Sequence, residues 1–134
     1  ALAHNRQGHF QDRWAKLEVG SNTVCKWVRP KEGQMLELPI RHGEGRVVFT
    51  PGKEREIYQQ LKDNGQIVFS YSEDVNGSYE KIAGVCDPKG LVLGMMPHPE
   101  AFVSHYTHRL SSQHNKNPGD GLALFNNIVK YLAE

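Results

Sequence analysis

Helical periodicity is scarce in this chain, and that scarcity limits its architecture more than any other feature. Only Gly52 to Asn64 and Gly121 to Ala133 repeat apolar residues at helical spacing. The first aligns Ile57, Tyr58 and Leu61 and stops at Asn64-Gly65; the second places Leu122, Phe125, Val129 and Leu132 on one face. Parallel strands must be joined by crossovers of about a dozen residues or more, usually helices. Two helices are too few to complete a doubly wound parallel sheet, so part of any such fold must be supplied from elsewhere or be antiparallel.

The remaining apolar segments are short and extended. Arg13 to Val19, Val24 to Val28, Gln34 to Ile40, Gln66 to Tyr71, Ala83 to Cys86 and Leu91 to Met96 each read as strands. Lys31-Glu32-Gly33 suits a hairpin turn between the second and third, and Asp87-Pro88-Lys89-Gly90 one between the last two. Arg41 to Arg46 and Ser72 to Glu80 are loops, and a long polar stretch follows Glu100. An antiparallel region over 13–40 is expected.

Bulk properties exclude several classes. At 134 residues the chain is one domain, 1–134. Sixteen Lys and Arg against fifteen Asp and Glu give a formal net charge of +1, which argues for neither a nucleic-acid nor a membrane surface. No apolar run approaches the roughly 18 residues that cross a bilayer, and ALAHNRQGHF has no signal-peptide pattern. Two cysteines make no disulfide framework, so a reducing, cytoplasmic setting is expected. The chain opens without Met and without a strand or cap before Ala1, which suggests a fragment.

The chemistry-bearing residues cluster at strand ends. GLVLGMMPHPEAF (90–102) is an apolar strand stopped by Pro-His-Pro-Glu. Prolines fix the local backbone, and residues two apart in extended chain share a side. His98 and Glu100 therefore suit an imidazole base with a carboxylate that holds its tautomer. On spacing alone, a capped strand end with a surface His and Glu reads equally well. His42 and Glu44, in H-G-E-G (42–45), offer a second pair between glycines, or an ordinary tight turn. His105, His108 and His114 raise a metal question, but no C-x-x-C accompanies them and no cysteine follows Cys86, so no metal site is expected. Cys25 and Cys86 lie in strand-like apolar segments without the turn that exposes a nucleophile, and read as structural.

Together these blocks carry a resemblance. FQDRW (10–14), LPIRHGEGR (38–46), QIVFSY (66–71), NGS with IAGVCDPKG (76–90), VLGMMPHPE (92–100) and the closing GDGLALFNNIVKYL resemble, in order, the glutaminase part of phosphoribosylformylglycinamidine synthases. That family's pattern reads A-H-G-E-G and G-M-M-P-H-P-E-R, so Arg41 and Ala101 depart from it.

The resemblance implies an α/β, flavodoxin-like three-layer class I glutamine amidotransferase fold, of which this chain holds only the C-terminal half. It implies a Cys-His-Glu triad in which His98 is the base and Glu100 its orienter, with His42 and Glu44 near the site or its rim. The family's nucleophile sits in a Gly-x-Cys-x-Gly elbow ahead of the FQDRW block; no such elbow occurs here, so the chain alone is expected to be inactive. The implied partners are glutamine and a synthetase domain or subunit that uses ATP and Mg²⁺; no cofactor is expected on this domain. A non-catalytic module docking a synthetase and another triad amidotransferase are the rival readings.

Overall fold

A computed structural model describes residues 1–29, 34–112 and 118–134. In chain order the elements are β1 (Leu2–Ala3), β2 (Gln11–Val19), β3 (Met35–His42), β4 (Arg46–Val47), α1 (Glu54–Asp63), β5 (Ile67–Tyr71), β6 (Ile82–Cys86), β7 (Leu93–Met95) and α2 (Asp120–Ala133). Single 3-10 turns cover Tyr79–Lys81, Pro99–Ala101 and His105–Thr107. Five strands form one sheet in the order β3-β2-β5-β6-β7, and β1 pairs with β4 apart from it.

The class is mixed α/β, as expected. Every strand pair among the described residues is antiparallel, however, so the antiparallel region runs well past residue 40. The long β2–β3 ladder explains this. Alternation puts Ala15 and Leu17 on one face of β2 and Leu36, Leu38 and Ile40 on the facing side of β3, all buried. Leu17 lies opposite Leu36 and Ala15 opposite Leu38, and each large aliphatic side chain buried this way contributes about 1.5–3 kcal/mol.

The sheet also curls on itself. Just beyond β7, Pro97 bridges Ile40 of β3, and the His98 amide donates to the Pro39 carbonyl at 2.8 Å. First and last strands thus meet along a seam, around a core that includes Leu38, Ile40, Phe69 and Tyr71.

Three expectations change. Val24–Val28 is not a strand: the Val24 and Lys26 amides donate to the carbonyls of Gly65 and Gly90 at 2.9 and 2.8 Å. Its apolar composition reflects burial of Cys25 and Val28 in a packed loop. β3 consequently pairs with β2, and no hairpin with 24–28 forms; Lys31-Glu32-Gly33 lies outside the described residues. On α2 the buried apolar side chain is Leu124, whereas Val129 and Leu132 are 63% and 73% exposed. The helix docks by its first turns, where the Asp120 carboxylate accepts the Glu37 amide at 2.7 Å, and its end stands clear of the sheet.

Candidate active site

The seam is where the Pro-His-Pro-Glu segment is fixed. Behind His98 the β3 backbone holds its amide; ahead of it, Pro99 opens the 3-10 turn, in which the Ala101 amide reaches the His98 carbonyl at 3.2 Å. Phe102 then anchors the turn in the core. It is fully buried, with its ring edge-on to Trp14 at a centroid distance of 5.0 Å. The start of α2 closes the other side, its Gly121 amide donating to the Phe102 carbonyl at 2.9 Å. A Cβ on Gly121 would lie 1.8 Å from the Pro99 carbonyl oxygen, so only glycine permits this approach.

Within this frame His98 Nδ1 lies 2.6 Å from Glu100 Oε1. They meet because the chain bends after His98 and turns Glu100 back, not because two extended residues share a side. Burial alone would raise the Glu100 carboxyl, but the hydrogen bond from His98 and the nearby charges of His98 and Arg41 hold it below its ordinary value. An ionised carboxylate only accepts, so Nδ1 carries a proton, and whenever the ring is neutral the lone pair is on Nε2. With the His98 side chain 37% exposed, that lone pair belongs to a surface-accessible base.

His42 and Glu44 separate. Glu44 turns outward to His4 at 3.3 Å, both well exposed. His42 is 4% exposed, with Nδ1 2.9 Å from the Asn5 side-chain oxygen. Burial lowers its pKa; a backbone hydrogen bond opposes this, and the charge of His98 adds to it. The backbone brings the two residues near each other, since His42 ends the strand whose Pro39 and Ile40 hold His98 and Pro97. Asn5 had no signal in the sequence, because its contacts span 37 residues.

The cysteines offer no nucleophile to this pair. Both are buried and free. Burial pushes Cys25 up to about 11 and Cys86 upward as well, so both are neutral thiols. Among the described residues no group of three or more His, Cys, Asp or Glu could hold a metal. His105 lies against Tyr106 and His108 is buried against Trp14 and Glu37; His114 is outside the described residues.

Comparison with known proteins identifies the family. A model of the CobB/CobQ-like glutamine amidotransferase domain matches residues 1–132. The chain belongs to that family. It is 36% identical over 143 residues to the phosphoribosylformylglycinamidine synthase subunit PurQ of Archaeoglobus fulgidus, a match covering 98% of this chain and 51% of that protein. It also superposes on a chain in the structure of PurLQS from Thermotoga maritima with a TM-score of 0.73 and 33% identity, covering 98% of this chain and 52% of that one. This amidotransferase chain therefore spans about half the length of the relatives it matches.

Proposed function

We infer that this chain forms part of the glutaminase of a phosphoribosylformylglycinamidine synthase. In this reading His98 is the general base of a Cys-His-Glu triad and Glu100 fixes its tautomer and stabilises its cation. The single observation that carries the reading is the 2.6 Å His98–Glu100 contact, held rigid at a sheet seam in a chain of the amidotransferase family. His98 Nε2 takes the proton of a thiol, the thiolate attacks the side-chain amide carbon of glutamine, and His98 returns the proton to the departing ammonia. The glutamyl thioester is then hydrolysed.

Burial and raised pKa argue against Cys25 and Cys86 as that thiol, so in this reading the nucleophile comes from outside these 134 residues and the chain alone is inactive. In the assembled enzyme the chain completes a three-layer flavodoxin-like domain. It supplies ammonia to a synthetase partner, as the PurQ name and the PurLQS assembly suggest. That partner uses ATP and Mg²⁺ to convert formylglycinamide ribonucleotide to formylglycinamidine ribonucleotide, in the cytoplasm.

The test is ammonia release from glutamine by the enzyme containing this chain. His98→Ala should lower it on the order of 10³-fold or more, because loss of one triad member removes nearly all the nucleophilic chemistry. Activity within a few-fold of wild type would refute the assignment.

A further inference from the structure

The environment of His42 contains a second, unused piece of acid–base design. Asn5 is 3% exposed and its amide orientation is fixed: Nδ2 donates to the carbonyl oxygens of His42 at 2.7 Å and His9 at 2.9 Å. Carbonyls only accept, so the opposite atom, facing His42 Nδ1 at 2.9 Å, must be Oδ1. The Gly45 amide also points to Oδ1, at 3.5 Å. An amide oxygen only accepts, so His42 Nδ1 carries a proton. Its Nε2 is sealed from solvent and has no hydrogen-bond partner among the described residues. A proton added there would create a buried, unpaired N–H on a cation, the costliest way to charge an imidazole.

The surroundings leave this intact. A Cβ on Gly45 would stand 2.6 Å from the His42 ring, so the loop closes over the ring only because glycine is there. Glu44 is turned to His4, and Arg41 lies 3.7 Å from Asp12. The charge that acts on His42 is that of His98.

We propose that Asn5 is a positioning residue that locks His42 in its neutral Nδ1–H tautomer, so that His98 alone of these two neighbouring imidazoles takes the proton. The proposal rests on the base role of His98 stated above. A cationic His42 would repel a proton on His98 and weaken it as a base. Asn5 and the sealed Nε2 remove that competition without placing a charge beside the site.

Long-range proton–nitrogen NMR of the histidine rings of this chain, followed over pH, tests it. His42 should show a protonated Nδ1 and a bare Nε2, and should remain neutral below the ordinary histidine range. An Nε2–H tautomer, or titration of His42 in that range, overturns the proposal with no variant needed. Asn5→Asp sets a carboxylate against Nδ1 and should raise the His42 midpoint, and His98→Gln, which removes the neighbouring charge, should raise it too. An unmoved midpoint in folded His98→Gln would show that the rings are uncoupled. In the active enzyme, Asn5→Asp should add an acidic limb to the pH profile of ammonia release at the His42 midpoint, an effect a purely structural Asn5 would not give. These outcomes concern His42, so they are distinct from the failure of His98→Ala to abolish activity.

Discussion

Gly121→Ala separates a tertiary explanation from a local one because the two give opposite signs. In a helix, alanine is favoured over glycine by about 1 kcal/mol, so propensity alone makes the variant more stable. At this position the new methyl would lie 1.8 Å from the Pro99 carbonyl oxygen, 2.6 Å from its carbon and 2.8 Å from Pro99 Cα, and real Cβ atoms essentially never come under 3.0 Å. All three obstacles are backbone, and the turn that carries them is pinned by β3 and by Phe102. Helix and turn must part by roughly an ångström or more, which costs overpacking strain of about 1–3 kcal/mol. The Gly121–Phe102 backbone hydrogen bond, worth about 1 kcal/mol, weakens with it. Against the propensity gain, the net is a destabilisation of about 2 kcal/mol, a large share of the roughly 5–15 kcal/mol that holds a domain.

Urea denaturation followed by circular dichroism measures this directly. Ala123→Gly serves as the control, since Ala123 is exposed on the same helix and should show only the loss of about 1 kcal/mol from propensity. If Gly121→Ala is neutral or more stable than wild type, the close contact of α2 with the Pro-His-Pro-Glu turn is wrong. The account of how His98 is held would fall with it.

Two further outcomes follow from the titrating groups. The folded Glu100 carboxyl lies below its ordinary value, so its contribution to stability is present above the unfolded pKa of about 4.3 and is lost as pH falls through the lower folded value. Its side chain is 62% exposed, so the effect is small, but Glu100→Gln should lose stability less steeply than wild type on acidification from about pH 5 to pH 3. Parallel unfolding curves would show that the pair carries no such linkage. Cys25 and Cys86, buried with raised pKa values, should resist an aromatic disulfide reagent at neutral pH and react together in urea; a fast-reacting thiol in the folded chain would contradict their burial.

The seam shows which features were legible in the sequence. The strands β2 and β3 follow from alternation, because one face of each is buried and period two records that fact, although their mutual pairing does not; β5 and β6 read instead as short apolar runs because both their faces are buried. His98 and Glu100 stand out because prolines flank the histidine, and their contact is local. The loop at 24–28 misleads for the converse reason: its apolar residues are buried without a ladder, and composition cannot distinguish the two cases. Similarly, the apolar face of α2 continues past the point where the sheet ends, leaving Val129 and Leu132 uncovered. Asn5, Phe102 and Gly121 act through contacts 19 to 88 residues distant along the chain, as Gly121 to Phe102, Asn5 to His42 and Phe102 to Trp14, and no local pattern marks them.

Long-range closure also decides what the local motif can do. A Pro-His-Pro-Glu tetrapeptide in free solution would bring His98 to Glu100 only transiently, since an exposed ion pair contributes about 0–1 kcal/mol. Here the Pro97–Ile40 bridge, the His98–Pro39 hydrogen bond, the Phe102 anchor and the Gly121 contact fix both ends of the turn before the pair forms. The cost of ordering the two side chains is thereby met by packing that serves the fold in any case. Weakening the frame should therefore loosen the His98–Glu100 contact even where neither residue is touched. Phe102 thus matters to the placement of His98 as much as the carboxylate beside it.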